Sequence, residues 1–291
     1  MDSNKRPKVT VTTLGELYAA GQKITVVTAY DATMATLLDE AGVDVLMVGD
    51  SLGMVVQGHE TTLPVTLDQM VYHSSAVARA RPSAHIVCDL PFLSYQTDEI
   101  DALRAAGRLV KEGGAESVKL EGGRTVARAV EKIVNAGIPV MGHVGLVPQS
   151  VHRMGGFRVQ GRMTREAEQL LEDAKSIEEA GAYALVIEGV PSEVGQAITE
   201  AVRIPTIGIG AGAATSGQVL VSTDLLGLGR GRAPKFVKRF ASLGDEVVRA
   251  VSEYVREVRA GEFPDAAHSF RMKEGEKAPG RGAPDSEGSG T

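Results

Sequence analysis

Apolar and polar positions along this chain fall into one repeated pairing: a short apolar run, then a longer stretch with apolar residues at helical spacing. The short runs lie at residues 24–28, 45–49, 85–88, 117–120, 140–143, 183–187 and 204–209, with a weaker one at 218–221. Runs of this length, rich in Val, Ile and Leu and bounded by Gly, Pro or polar residues, read as buried strands. The stretches between them predict helices. Thr13, with Glu16 three residues on, opens a short helix to about Ala20. Asp31 caps a helix through Ala41, Thr66 or Asp68 opens one to Arg81, and Thr97 caps one to Glu112. Helices over 125–135, 164–180 and 192–202 follow. Apolar residues near 3.6-residue spacing, from Phe236 and Phe240 to Tyr254 and Val258, predict a long amphipathic helix over 236–259.

Strands alternating with helices in this way predict a parallel sheet. Eight such units fit one (β/α)8 TIM-type barrel, an α/β fold in a single domain. A doubly wound open sheet is the competing architecture. Against it, the glycine-rich turn Ile207-Gly-Ile-Gly-Ala-Gly212 follows the seventh strand and not the first. The barrel with its C-terminal helix is expected over 10–270, behind a polar leader at 1–9. Residues 271–291, rich in Gly, Pro, Ser and charge, are expected to form a disordered tail. The connections at 51–65 and 144–163 are too long for plain turns and are candidate lids.

Composition narrows the function classes. The chain has 291 residues, 43% of them hydrophobic, enough for a substantial core. A net charge of −6 leaves no electrostatic footprint for nucleic acid or an anionic membrane. No apolar run approaches the roughly 20 residues of a membrane helix, and no apolar segment follows the N-terminal charges as in a secretory signal. Small-molecule substrates and a cytoplasmic location are expected. The single cysteine, Cys88, excludes a disulfide within the chain, fits a reducing compartment and reads as a small core residue.

Chemistry enters at the strand ends. Asp50 and Ser51 follow the second run, Asp89 the third, Lys119 and Glu121 belong to the fourth, His143 ends the fifth and Glu188 follows the sixth. Each has a bland reading: Asp50 and Asp89 as caps, Lys119 with Glu121 as a rim ion pair, His143 as a half-buried imidazole, Glu188 as a solvent-facing carboxylate. Together they form a titratable rim on five successive strands, at the end where barrel enzymes place their sites. Asp50, Asp89 and Glu121 offer oxygen ligands without a Cys/His cluster, which suits Mg²⁺ better than Zn²⁺. A metal so held can chelate a 2-oxo acid and stabilise its enolate. Glu188 is placed to take the adjacent proton, and Lys119 to offset developing negative charge. The run 207–212 invites a phosphate reading, but it lacks the Walker lysine; close backbone packing at the rim explains it equally well.

Several motifs resemble one enzyme family. Val48-Gly-Asp-Ser-Leu-Gly53, Gly58-His-Glu-Thr-Thr62, Asp89-Leu-Pro-Phe92, Val118-Lys-Leu-Glu-Gly-Gly123 and Gly142-His-Val-Gly-Leu-Val-Pro-Gln-Ser150 are similar to the ketopantoate hydroxymethyltransferases. Gly155-Gly-Phe-Arg-Val-Gln-Gly161, Val186-Ile-Glu-Gly-Val-Pro191 and the run 207–212 extend the likeness over roughly 10–262. The resemblance implies a (β/α)8 barrel assembled as a homodecamer. It implies transfer of a one-carbon unit from 5,10-methylenetetrahydrofolate to 3-methyl-2-oxobutanoate, giving ketopantoate for pantothenate and coenzyme A synthesis. By the same resemblance Asp50 and Asp89 bind Mg²⁺, with Glu121 completing its environment through water. Asp50, Ser51, Asp89 and Lys119 contact the oxo acid, Glu188 is the proton acceptor, and His143 lies near the substrate. Val147 departs from the family's frequent Thr in a loop that supplies no proposed ligand. A phosphoenolpyruvate mutase or isocitrate lyase relative is the nearest enzyme alternative, though such barrels usually carry a reactive loop Cys. A non-catalytic barrel would be expected to have lost a strand-end carboxylate, and none is lost.

Overall fold

The structure is a computed structural model that describes residues 6–229, 231 and 233–276. Eight parallel strands close into a barrel in chain order: β1 (Ile24–Thr28), β2 (Val45–Val48), β3 (His85–Asp89), β4 (Ser117–Lys119), β5 (Val140–Gly145), β6 (Ala184–Glu188), β7 (Thr206–Ile209) and β8 (Gly217–Leu220). β8 returns to pair with β1. The (β/α)8 expectation is borne out, and the open sheet is excluded by this closure.

The helices are α1 (Val11–Ala19), α2 (Ala32–Glu40), α3 (Leu52–Val55), α4 (Leu67–Arg79), α5 (Glu99–Lys111), α6 (Ala127–Asn135), α7 (Val151–Met154), α8 (Thr164–Glu179), α9 (Ser192–Ala201), α10 (Ser222–Leu225) and α11 (Leu243–Ala260). The chain divides into two compact units. Met1–Ala241 holds the whole barrel, and Ser242–Thr291 holds α11.

Period-2 alternation in the strands explains both cores. Val26, Val45, Met47, Val87, Met141, Val186 and Ile207 point inward and fill the barrel. Their neighbours Val27, Leu46, Val48, Ile86 and Leu185 point outward and pack under the helices. Both faces of β2 to β7 are therefore covered, which is why these strands read as continuous apolar runs, while β1 and β8 each expose one residue, Thr25 and Gln218. Cys88 lies on the outward face, fully buried, and burial holds its thiol well above the usual range. It is the core residue that the sequence suggested.

Local chemistry moved some boundaries. The cap of α1 is Thr10, which exchanges hydrogen bonds with Thr13 in a capping box; Thr13 is the third helical residue and not the cap. The cap of α5 is Asp98, whose carboxylate accepts from the amides of Ile100 and Asp101 at 2.8 Å, while Thr97 turns to Asp101. Asp31 and Thr66 cap α2 and α4 as expected. The helix predicted from Phe236 begins at Leu243 instead. Its true first turn carries Asp245 and Glu246, where acidic side chains meet the positive helix end. Phe236 and Phe240 kept the apolar spacing by coincidence and lie in the connection before it.

The leader expected at 1–9 is described from Arg6. There Arg6 pairs with Asp39 at 3.0 Å, Lys8 with Glu116 at 2.8 Å, and Val9 is buried. Residues 1–5 and 277–291, most of the expected tail, lie outside the described residues.

Candidate active site

Alternation also builds the site. Two residues beyond inward-pointing Val87, Ser117, Met141 and Val186 come Asp89, Lys119, His143 and Glu188. Glu121 lies one further step along the line of β4. Ladder pairing sets Asp89 beside Lys119 and Gly145 beside Glu188. The same inward face that fills the barrel with valine thus delivers charge at its carboxyl end. Asp50 and Ser51 follow β2 on a turn that starts α3. These seven residues, the sequence-predicted set, line one cavity of about 560 Å³.

Asp50, Asp89, Lys119, Glu121 and His143 are all buried. Lys119 Nζ lies 3.2 Å from Asp89 Oδ2, and His143 Nδ1 lies 3.6 Å from Glu121 Oε1. The rim pair between Lys119 and Glu121, one of the bland readings, is not how these charges are matched. His143 Nε2 faces Glu188 Oε2 at 3.3 Å. Glu188 does not simply face solvent, its side chain being only 17% exposed.

The protonation pattern follows from burial against partners. Burial and Lys119 push His143 down, but Glu121 and Glu188 prevail and raise it to about 9, so the imidazole is cationic near neutrality. Its Nδ1 stands 3.4 Å from Lys119 Nζ and 3.6 Å from Glu121 Oε1, and its Nε2, buried without a hydrogen-bond partner, faces Glu188. Burial acts against Glu121 as well, yet His143, Lys119 and the Gln149 amide hold it below its ordinary value. Asp50 is raised well above the usual carboxylate range by burial, then by Glu121 and Asp89. Asp89 is raised by burial, against the pull of Lys119.

The arrangement fits a divalent cation. Four carboxyl groups face two cations, which leaves a deficit of the size one divalent ion fills. Asp89 Oδ1 is buried with no hydrogen-bond partner. Among the described residues no group of three or more His, Cys, Asp and Glu forms a ready-made cage. Two carboxylates with the remaining positions left to water and substrate oxygens is the habit of Mg²⁺.

Three residues that sequence reasoning missed complete the site. Gln149, from the turn after β5, donates from Nε2 to Asp50 Oδ2 and to the Leu90 carbonyl, both at 2.9 Å, and its backbone N–H donates to Glu121 Oε2 at 2.9 Å. Tyr95 OH lies 2.7 Å from Gln149 Oε1 and accepts from the Glu121 amide at 3.0 Å. Tyr30, after β1, sets its hydroxyl 2.9 Å from Ser51 Oγ. Gln149 stood inside a motif already singled out. An uncharged Gln or Tyr in a loop carries no signal of its own; these became legible only when the loops met.

The comparisons with known proteins follow this geometry. Residues 8–266 match the family model described as ketopantoate hydroxymethyltransferase. A 3-methyl-2-oxobutanoate hydroxymethyltransferase from Geobacter metallireducens is 55% identical over 263 residues, 90% of this chain and 98% of that protein. One from Moorella thermoacetica is 55% identical over 267 residues, 92% of this chain and 99% of that protein. Among solved structures, a phosphonopyruvate hydrolase complex with oxalate and Mg²⁺ superposes with a TM-score of 0.58 at 12% identity, covering 90% of this chain and 92% of that one. A 2,3-dimethylmalate lyase of the phosphoenolpyruvate mutase/isocitrate lyase superfamily gives 0.57 at 17% identity, covering 90% of each. At such identity these two structures share the fold alone.

Proposed function

The chain belongs to the ketopantoate hydroxymethyltransferase family, and from that premise we propose that it transfers a one-carbon unit from 5,10-methylenetetrahydrofolate to 3-methyl-2-oxobutanoate, in a Mg²⁺-dependent reaction. The observation that carries this reading is the cluster of Asp50, Asp89, Lys119, Glu121, His143 and Glu188 in one cavity.

Asp50 and Asp89 would hold Mg²⁺, with Glu121 behind them. Bound there, the ion supplies Lewis-acid polarisation of the ketone and neutralises charge as the enolate forms. Ser51, oriented by Tyr30, offers a hydroxyl to the acid's oxygens. Glu188 removes the proton from C3. His143, wedged between Glu121 and Glu188, fixes the direction of the Glu188 carboxylate and adds positive charge beside it. Lys119 adds a second fixed cation facing the developing negative charge. Gln149 and Tyr95 lock Asp50 and Glu121 by hydrogen bonds, so little reorganisation is needed at the moment of reaction. The C3 carbanion then bonds to the donor's methylene carbon as one of that carbon's two C–N bonds breaks, and water cleaves the other, leaving a hydroxymethyl group on C3. Overall the transfer consumes one water, which supplies the product hydroxyl, and returns tetrahydrofolate.

The same reading includes assembly as a homodecamer and a cytoplasmic location. An apolar stripe on α11 supports assembly, with Val247, Val251 and Tyr254 more than half exposed. Among the described residues no helix is long and apolar enough to cross a membrane.

The test is product formation. Purified protein with Mg²⁺, 5,10-methylenetetrahydrofolate and 3-methyl-2-oxobutanoate should yield ketopantoate by mass spectrometry. Turnover of a 2-methylisocitrate-type substrate instead would move the protein to the lyase alternative.

A further inference from the structure

The mouth of the barrel has two halves of opposite chemistry. β2 to β6 contribute the charged groups described above. β7 and β8 contribute Ile209, Gly210, Val219 and Leu220 to the same cavity. In a barrel closed in chain order, these two strands stand across the mouth from β3 and β4. Phe236, after α10, extends this half outward, while Met54 and Val55 of α3 and Phe157 and Val159 after α7 bring further apolar lining from the connections that follow β2 and β5. Phe236 is 40% exposed and Phe157 49% exposed, although both line a cavity with a charged, buried floor. Open aromatic surface in such a place marks a ligand subsite. An oxo acid whose only apolar part is one isopropyl group does not cover it.

The glycine-rich turn belongs to this half. Gly210 has a φ of +62°, and a Cβ there would meet Phe236 Cδ1 at 2.8 Å and Cγ at 3.0 Å. Only a residue without a side chain lets the Phe236 ring rest on this backbone. The run 207–212, open to a phosphate reading from sequence, serves as the seat of an aromatic ring. Asp224 on α10 places a half-buried carboxyl group in the same wall. Arg158 and Lys235 line the cavity's exposed edge, and neither has an ion pair among the described residues.

An aromatic seat, a carboxylate beside it and two cations with no ion pair among the described residues suit one class of ligand. It has a flat fused ring system, N–H donors on one ring edge and a carboxylate-bearing tail. We infer that the β7–β8 half of the cavity is the one-carbon donor's subsite, with its pterin against Phe236 and Phe157, its N–H edge at Asp224 and its glutamate carboxylates toward Arg158 and Lys235. This rests on the reaction proposed above. It places the donor's methylene between the apolar half and the oxo acid held by the charged half.

Calorimetry on the Mg²⁺-loaded protein tests it, with 5-formyltetrahydrofolate as the probe. Phe236→Ala and Asp224→Asn should each raise its Kd by about tenfold or more, the loss of one well-made contact. The Kd of 3-methyl-2-oxobutanoate should move by less than about twofold, within the scatter of a change that removes no contact. Phe236→Tyr should restore folate affinity. The double variant Arg158→Glu/Lys235→Glu should weaken the triglutamate form and leave 6-methyltetrahydropterin, which has no tail, unaffected. Folate affinity unchanged in Phe236→Ala and Asp224→Asn would overturn the subsite. If the wild type makes ketopantoate while that result holds, the subsite alone fails; if the wild type makes none, the proposed reaction fails.

Discussion

His85 shows how the barrel handles a titratable residue away from the mouth. Its ring is buried at the amino end of β3, with Nε2 2.8 Å from Ser117 Oγ, which in turn meets Tyr183 OH at 3.0 Å. Burial lowers its pKa from 6.5 to about 4, although the Glu116 carboxylate lies 3.6 Å from Nδ1. The folded state therefore keeps His85 neutral where the unfolded chain has already taken up a proton. Stability from this residue is complete above about pH 6.5 and is lost as pH falls toward 4, by about 3 kcal/mol in all. Denaturant titrations of wild type and His85→Gln across that range should show a flatter pH dependence in the variant; parallel curves would contradict the account. Residues of this kind were hard to read from sequence. The strand-end acids and bases were legible because each ends an apolar run, whereas Gln149, Tyr95 and Tyr30 owe their place to loops.

At the scale of elements, strands were read more closely than helix ends. The range 24–28 matched β1 because its apolar run opens after Lys23 and closes on Thr28. Helix starts depend on which of two adjacent polar residues reaches the first amides, as Thr97 and Asp98 illustrate, and composition does not decide that. The eighth strand was weak because Gly217 and Gln218 replace the usual apolar pair. Packing of helix on strand can be tested at Gly142 of β5. A Cβ there would lie 2.3 Å from Ile177 Cγ2 on α8 and 3.0 Å from Leu185 Cδ1. Ile177 and Leu185 are fully buried and have no room to yield. Gly142→Ala should cost about 1–3 kcal/mol by overpacking, measured by chemical denaturation, and an unchanged midpoint would mean that α8 sits more loosely than described.

For the whole molecule, the site trades stability for function. Asp50 and Asp89 are buried close together; burial first, and then the Glu121 carboxylate, hold both above the usual carboxylate range, with Asp89 adding to the effect at Asp50. A cation that binds only the folded protein relieves this. Mg²⁺ at about a hundred times its Kd should add about 2.7 kcal/mol, or roughly 5–10 °C in Tm. Asp50→Asn should abolish that rise while melting no lower than wild type in the presence of EDTA; a rise that persists would place the ion elsewhere. The central claim is enolisation of the oxo acid at this mouth, and hydrogen exchange reads it without the folate donor. With Mg²⁺ in deuterated buffer, wild-type protein should exchange the C3 hydrogen of 3-methyl-2-oxobutanoate, followed by proton NMR. Glu188→Gln should slow that exchange by about 10²–10⁴-fold while still binding the acid. Absence of exchange in the wild type with metal and acid both bound, or full exchange in Glu188→Gln, would contradict the account.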